Sequence, residues 1–279
     1  MGLPGEQVSN IDRGIEPDDL RSQLRNYLKL LEFSGTKEML LAEGDGAGSE
    51  GTYVEDASRE DASAEVAPEI ELGTVESAAA VMEALVQEAQ GCELCCLSEG
   101  RTRVVVGEGN IACRLMFVGE GPGADEDRQG RPFVGRAGVL LTKIIDAMGL
   151  VRGDVYITNV VKCRPPGNRV PEPDEIVACL PYLERQVAVI APEVICTLGN
   201  VATQTVTGER RPISEMRGKT YEYRGISVIP TYHPAACLRN PDTKKLVWQD
   251  IKKVMGLLGL SIRVSTSGVN RHGPSANGN

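Results

Sequence analysis

The sequence predicts an α/β fold, a three-layer α/β/α sandwich with a largely parallel central sheet, preceded by an N-terminal extension that is part helical and part disordered. Two observations support this prediction. Between about residues 115 and 258, short apolar runs alternate with longer segments of helical periodicity, a pattern typical of strand–helix–strand units. A chain of 279 residues with 41% hydrophobic content is also long enough to bury the core of such a sandwich.

The N-terminal third is predicted to lie outside this fold. Residues 1–41 include an amphipathic helix at 17–33, in which leucines recur on one stripe. Residues 42–74 are rich in Gly, Ala, Ser and Glu and contain almost no large apolar residue, so they are predicted to be an acidic disordered linker. The folded domain is expected at 75–260, and the tail at 261–279 is again predicted to be disordered.

Within the folded domain, the apolar runs at 115–118, 155–158, 194–198 and 228–230 are predicted to be buried strands. Helices are predicted at 75–89, 137–148, 174–190, 201–207 and 244–258. Ligands of such folds bind beyond the carboxyl ends of the parallel strands. The polar, Gly- and Pro-rich segments that follow the strands are therefore the expected place for a functional site.

The net charge of −9 is distributed unevenly, because residues 1–90 carry −14 and residues 91–279 carry +5. A basic domain behind an acidic extension favours contact with nucleic acid. The chain has no secretory signal and no uncharged apolar run of about 18 residues, so we expect a cytoplasmic protein without membrane association. A monomer is expected.

Four of the eight cysteines form a candidate metal site. Cys92 and Cys95 form a C-x2-C pair, while Cys163 follows a predicted strand and Cys179 lies on a predicted helix. Cysteines of a cytoplasmic protein stay reduced, which favours metal ligation or burial over disulfides. The spacing alone is compatible with zinc and with an iron–sulfur cluster. Cys96 adjoins Cys95 and is an alternative ligand.

Three predicted strands end at residues that suit a polar ligand. The first strand runs into the turn Gly119-Glu120-Gly121, where glycine allows a ligand to approach the backbone closely. The second ends at Asn159, whose amide presents a donor and an acceptor together. The last ends just before His233, which can donate to a developing negative charge. Each residue alone is more often structural than catalytic, so their combination matters.

Six segments occur in this order along the chain: the C-x2-C pair, GEGPGADED, GRPFVGRAG, NVVKCRPPGNR, the helix of Cys179, and YHPAACLRNP. Together they closely resemble family 4 uracil-DNA glycosylases, the iron–sulfur class of these repair enzymes, in which the segments have the same order. The resemblance spans about residues 75–258 and does not cover 1–70 or the tail. It implies a hydrolase that cleaves the N-glycosidic bond of deoxyuridine in single- or double-stranded uracil-containing DNA and leaves an abasic site.

The resemblance also implies a cofactor and a set of site residues. A [4Fe–4S] cluster with a structural role is implied on Cys92, Cys95, Cys163 and Cys179. The implied uracil-binding residues are Gly119, Glu120, Gly121, Phe133, Asn159 and His233. Among them, Phe133 stacks on the base, Asn159 reads its Watson–Crick edge, and His233 bonds the carbonyl that gains charge. Leu238 and Arg239 are the implied wedge that enters the duplex.

The sequence departs from other uracil glycosylases at two points. Where many of them have an aspartate that positions the attacking water, this chain has Gly121. Glu120 is the nearest carboxylate and, with His233, a catalytic candidate, but the group that positions the water stays open. The segment after Cys163 lacks the basic, His-containing insertion of related enzymes that bond covalently to the abasic site, which favours ordinary hydrolysis.

Two alternatives remain at this point. One is a glycosylase for another deaminated base, such as hypoxanthine or xanthine, although Asn159 is unsuited to a purine and Phe133 would have to leave a wider pocket. The other is a non-catalytic iron–sulfur or zinc module that binds nucleic acid, because the N-terminal extension of some phage polymerases resembles this family. The joint presence of Asn159, Phe133 and His233 favours the enzyme.

Overall fold

The computed structural model describes residues 75–261. The helix expected at 17–33, the linker expected at 42–74 and all but the first residue of the tail lie outside the described residues. Among residues 75–261, no helix combines the length and the apolar character needed to cross a membrane.

Helices and strands alternate along the described chain. The helices are α1 (Val75–Gln90), α2 (Leu97–Gly100), α3 (Ala124–Gln129), α4 (Arg136–Ala147), α5 (Pro173–Ile190), α6 (Asn200–Thr207), α7 (Ile213–Met216), α8 (Pro234–Arg239) and α9 (Thr243–Leu257). The strands are β1 (Glu108–Gly109), β2 (Leu115–Gly119), β3 (Tyr156–Asn159), β4 (Val194–Leu198), β5 (Tyr221–Tyr223) and β6 (Ile226–Thr231). Every strand and helix predicted within 75–260 is present, with ends shifted by one or two residues.

The six strands form one sheet in the order β1-β3-β2-β4-β6-β5. The four central strands are parallel, whereas β1 and β5 pair antiparallel at the two edges. After β2 the chain adds β3 on one side and then β4 on the other, so the winding direction changes at β2. Such a switch point opens a crevice beyond the carboxyl ends of the strands. The ends of β2, β3 and β6 therefore face a common edge.

Both faces of the sheet are covered, because successive strand residues point to opposite sides. Met116 and Val118 of β2 share one core with residues of α1, α5 and α6. Leu115 and Phe117 of the same strand share a second core with residues of α4 and α9. Strands buried on both faces consist of continuous apolar runs, and all residues of β2 and β4 are buried. The predicted three-layer sandwich is confirmed.

The structure corrects the prediction in segments that were expected to be loops. The Gly-rich stretch after β2 contains α3, whose first turn has three acidic residues that favour a helix N-terminus. The segment after His233 forms α8, which begins with Pro234 in its first turn. The edge strands β1 and β5 are only two and three residues long, too short for a periodic pattern to predict them.

Candidate active site

Gly119 is the point at which three predicted site residues meet. It is the last residue of β2 and the direct partner of Asn159, the last residue of β3. A side chain at position 119 would collide with the Asn159 carboxamide and would come within 2.6 Å of the Phe133 ring. Glycine is therefore required here for the amide and the ring to approach the end of β2.

Asn159 has an unused hydrogen-bond acceptor. The residue is 1% exposed, and its Oδ1 is the one buried side-chain oxygen or nitrogen in the described part of the chain without a hydrogen-bond partner. Leaving a buried polar atom unpaired costs about 1–3 kcal/mol. An acceptor held in this state, beside Gly119 and Phe133, indicates that a ligand donor completes the site.

Phe133 occupies a backbone conformation that non-glycine residues seldom adopt, with φ of 51°. The Glu126 carboxylate accepts hydrogen bonds from the next two backbone N–H groups at 3.0 Å each. On the other side, Arg152 donates to the Phe133 carbonyl at 3.2 Å and to the preceding carbonyl at 2.9 Å. These contacts hold the strained turn in place. They keep the buried aromatic ring over the end of β2.

His233 has one ring nitrogen engaged by the backbone. Its Nδ1 accepts the backbone N–H of Ala235 at 3.1 Å, and in a neutral imidazole the other nitrogen then carries the proton. Burial lowers the pKa of His233 to about 4, with Arg239 adding to the effect and Glu126 opposing it. The ring centroid lies 5.6 Å from that of Phe133. The site therefore contains an Nε2–H donor that stays uncharged at neutral pH.

The end of β6, which precedes His233, is held by a buried ion pair. Thr231 donates to the Asp250 carboxylate at 2.8 Å, and Arg217 donates to the same carboxylate at 2.8 and 3.0 Å. Asp250 lies on α9 and is fully buried. Helix α9 thus determines the position of the strand end that carries His233.

Glu120 is the carboxylate that the turn after β2 presents. Burial raises its pKa, and its backbone carbonyl accepts the N–H of Val161 at 3.1 Å. A Cβ at Gly121 would lie 2.7 Å from the Val161 side chain. An aspartate at position 121 would require Val161 to move, which explains how this backbone path favours glycine there.

The four predicted cysteine ligands line one pocket. Cys92, Cys95, Cys163 and Cys179 are all lining residues of a pocket that is partly open to solvent. Burial is the main reason why the pKa values of Cys95, Cys163 and Cys179 are raised, and neighbouring thiols raise them further.

Nitrogen donors are directed at these sulfurs. The Lys162 backbone N–H donates to Cys179 Sγ at 3.2 Å, and Arg101 donates to Cys163 Sγ at 3.5 Å. Arg101 also donates to the Cys92 carbonyl at 2.6 Å. Across residues 75–261, no three His, Cys, Asp or Glu side chains are placed so that they could hold a metal ion as they stand. The hydrogen bonds from Lys162 and Arg101 favour the thiolate form of Cys179 and Cys163 over the thiol form.

Cys96 lies outside this pocket. It is exposed, and its thiol donates to the Glu175 carboxylate at 3.2 Å. Glu175 is buried and forms a bidentate pair with Arg169 at 2.6 and 2.8 Å. The hydrogen bonds from Arg169 are the largest reason why the pKa of Glu175 falls to about 2. Of the two adjacent cysteines, Cys95 is the one that lines the pocket.

Comparison with known proteins gives the family. Residues 106–252 match the family model of the uracil DNA glycosylase superfamily. The chain belongs to this superfamily. Over 185 residues it is 49% identical to a type-4 uracil-DNA glycosylase of Sulfurisphaera tokodaii, which covers 63% of this chain and 84% of that protein. A type-4 uracil-DNA glycosylase of Thermotoga maritima is 47% identical over 182 residues, with 64% of this chain and 95% of the relative covered.

A DNA polymerase of Bacillus phage SP01 is also similar to this chain. It is 32% identical over 169 residues, which correspond to 60% of this chain and 18% of the polymerase. The superfamily fold is thus found both as an almost complete glycosylase and as a small part of a much larger polymerase. The resemblance to family 4 is confirmed by the two glycosylases, since the alignment covers most of their length.

The structure brings Gly119, Phe133 and Asn159 together, as the sequence predicts for a base site, and leaves two other predicted residues exposed. Leu238 and Arg239 lie in the last turn of α8, and both are exposed. Sequence reasoning missed Glu126 and Arg152, which support the Phe133 turn. It also missed Lys162, although Lys162 lies within a motif segment. No periodic pattern identifies such residues, because their roles depend on contacts made after folding.

Proposed function

We propose that the edge formed by the ends of β2, β3 and β6 binds a uracil flipped out of DNA and stabilises its anion while the N-glycosidic bond is hydrolysed. The chain is a DNA-repair glycosylase that removes uracil, as its superfamily and its type-4 relatives support. The observation that carries the proposed site is the unpaired Oδ1 of buried Asn159, next to Phe133.

Asn159 is proposed to select the base. Its Oδ1 accepts from uracil N3–H, and its amide nitrogen donates to uracil O4. Cytosine has no N3 proton and presents an amine in place of O4, so it would leave both buried groups of the amide unpaired. Sites built from buried polar groups reject such analogues strongly. Phe133, held in its turn, is proposed to stack on the base.

His233 is proposed to act on the rate. Cleavage leaves a uracil anion and an oxocarbenium-like sugar, so a donor to the carbonyl that gains charge bonds more strongly in the transition state than in the ground state. A neutral Nε2–H, fixed by the Nδ1 contact to Ala235, is already oriented for this role. A fixed donor of this kind is worth about 2.7–4 kcal/mol.

The nucleotide must flip out of the DNA base stack before this chemistry begins. Unstacking costs a few kcal/mol, and the exposed Leu238 and Arg239 at the end of α8 are proposed to fill the space that the base leaves. Glu120, as the carboxylate of the turn, is proposed to position the attacking water. Both single-stranded and double-stranded uracil-containing DNA can supply such a base.

The cysteine pocket is proposed to hold a [4Fe–4S] cluster. Four thiols line one pocket, and four cysteine thiolates are the ligands that hold such a cluster. Bound there, the group would cross-link the C-x2-C segment, the end of β3 and α5. A reducing cytoplasm suits the eight free cysteines.

Purified protein tests both parts of this proposal. We expect a brown protein that contains iron and sulfide and that converts a uracil-containing oligonucleotide into an alkali-labile abasic product. Cys95→Ala is expected to lose the iron, whereas the matched variant Cys96→Ala keeps it. A colourless protein with bound zinc, or equal iron loss in both variants, would contradict the assignment of the pocket.

A further inference from the structure

Lys162 is a buried cation between the cysteine pocket and the base site. It is 1% exposed, and its ammonium donates to the Asn159 carbonyl at 2.6 Å, to Gln186 Oε1 at 2.7 Å and to Thr158 Oγ1 at 2.8 Å. A lysine ammonium has three donors, and all three are used. The side chain therefore has one defined position.

These partners satisfy the donors of Lys162 but not its charge. All three acceptors are neutral oxygens, and an ion buried without a counter-charge costs several kcal/mol. Lys162 and Cys179 both line the cysteine pocket. The sulfur of Cys179 also accepts the backbone N–H of Lys162 at 3.2 Å. The anion that this cation requires thus lies on the side of the cysteine pocket.

The other end of the contact is the strand that carries the base-reading amide. Lys162 follows Asn159 by three residues, and its side chain folds back to bond the carbonyl at the end of β3. Gln186, which shares the ammonium, lies on α5 two turns after Cys179. Thr158 and Gln186 both donate to the Val106 carbonyl, at 2.7 and 2.9 Å. The network joins β3 and α5 around one positive charge.

We propose that Lys162 is a positioning residue that couples the cysteine pocket to Asn159. Its ammonium serves as the counter-charge for the anionic cluster held by Cys163 and Cys179, and the same group holds the Asn159 carbonyl in register for uracil. This inference rests on the proposed function. It means that loading of the pocket and alignment of the base-reading amide depend on each other.

Lys162→Met tests the coupling, because methionine keeps a similar length and volume without charge or donors. We expect the cluster to assemble and its reduction potential to shift to more negative values, since a nearby positive charge favours the reduced form. The single-turnover rate of uracil excision should fall about tenfold, and discrimination against cytosine should weaken. Affinity for uracil-containing DNA should stay unchanged, since Lys162 is not exposed.

Two further variants separate charge from contact. Gln186→Glu places a carboxylate against the ammonium and retains its acceptor, although it loses the donor to the Val106 carbonyl, so it should shift the potential in the same direction. Thr158→Val, the matched control, removes one acceptor without changing any charge and should leave the potential at the wild-type value. If Lys162→Met does not fold, Gln186→Glu still decides the charge role.

An unchanged potential in both Lys162→Met and Gln186→Glu would overturn the role of Lys162 as counter-charge. Wild-type base discrimination in a folded, iron-loaded Lys162→Met protein would overturn its role toward Asn159. A wild-type protein that loads the cluster but excises no uracil would overturn the proposed function instead. In that case the potentials of the three variants would still decide whether Lys162 compensates the charge of the cluster.

Discussion

Asn159 and His233 illustrate how burial prepares single residues for a ligand. Asn159 keeps an acceptor unpaired at a cost that only a ligand recovers. His233 has its Nδ1 engaged by a backbone N–H and its pKa lowered, mainly by burial, so the remaining N–H is available as a neutral donor. In both cases the fold leaves one hydrogen-bonding atom of the side chain unused.

The first prediction concerns Asn159→Asp, which keeps the shape of the side chain and replaces its donor nitrogen by an acceptor. Uracil excision should fall about a hundredfold, the loss typical of a removed fixed donor, and discrimination against cytosine should relax. Single-turnover rates on matched uracil- and cytosine-containing oligonucleotides measure both effects. Asn110→Asp in an exposed turn is the control. Unaltered discrimination would contradict the reading role.

The second prediction concerns the charge state of His233. Its pKa is lowered from the ordinary 6.5 to about 4 by burial, so the imidazole is neutral throughout the range above about pH 5. The rate advantage of wild type over His233→Ala should therefore stay constant from pH 8 to pH 5 and change only as the pH falls through about 4, where protonation of Nδ1 breaks its hydrogen bond from Ala235. An imidazolium donor would instead gain effect as the pH falls through 6.5.

The same lowered pKa affects stability. Between pH 6.5 and about 4 the unfolded chain binds the proton that the folded histidine excludes, so this residue makes folding less favourable as the pH falls through that window. His233→Ala should thus flatten the pH dependence of the melting temperature there.

A rate loss in His233→Ala of less than about threefold, well under 1.4 kcal/mol, would contradict its role as anion stabiliser.

At the scale of elements, the site is held by contacts between a turn and distant side chains. Arg152 precedes β3 and bonds two carbonyls of the Phe133 turn, while it pairs with Glu108 at 2.8 Å. Arg152 thereby joins the turn of Phe133 to the edge strand β1, which contains Glu108. A strained φ persists in a structure only where such contacts hold it.

The third prediction is that Arg152→Met loosens this turn. We expect about a tenfold lower excision rate and a lower melting temperature, because two hydrogen bonds from a cation to buried carbonyls are lost. Arg131→Met is the matched control, since Arg131 pairs with the same Glu108 at 2.7 Å but is largely exposed, and exposed pairs contribute little. Equal effects of the two variants would show that the Glu108 pair, and not the turn, matters.

The fourth prediction concerns the link between α5 and β3. Cys179→Ala should lower soluble yield and thermal stability together with activity, because the proposed cluster would join α5, through Cys179, to the segment after β3, through Cys163. Cys113→Ala removes a buried thiol outside the pocket and should keep its iron. A Cys179→Ala protein that folds normally, lacks iron and keeps full activity would contradict a structural role.

At the scale of the whole molecule, charge is separated along the chain. Residues 1–90 carry −14 and the remainder +5, and the superfamily match begins at residue 106. The acidic segment should repel DNA phosphates, whereas the basic domain attracts them.

The fifth prediction is that residues 1–70 are dispensable for excision. Their deletion should leave turnover unchanged and tighten DNA binding at low salt, because it removes most of the acidic excess. Affinity measured over a range of salt concentrations, alongside single-turnover rates, checks this. A folded truncated protein with activity reduced a hundredfold would show that the leucine-striped segment belongs to the working enzyme.

The sequence by itself determined the sandwich and the positions where its chemistry is concentrated. Strands buried on both faces must consist of apolar runs. The strands β2, β3, β4 and β6 could therefore be predicted from runs of consecutive apolar residues. Gly119 and Asn159 are the last residues of β2 and β3, and His233 follows the end of β6 by two residues. For the same reason the four cysteines could be assigned to a strand end, a helix and a C-x2-C segment before their distances were known.

Only the tertiary structure decided which side chains serve these positions. Cys95 lines the pocket while Cys96 bonds Glu175. His233 has its Nδ1 engaged by a backbone N–H, which leaves Nε2 for a ligand. These are consequences of side-chain direction, as is the way in which Arg152 and Glu126 hold the turn of Phe133. Lys162 is the clearest case, because its role depends on three acceptors that belong to β3 and α5. Periodicity reports which face of an element is buried, whereas a buried polar contact depends on residues far apart in the chain that meet only when the sheet and its two helical layers have closed.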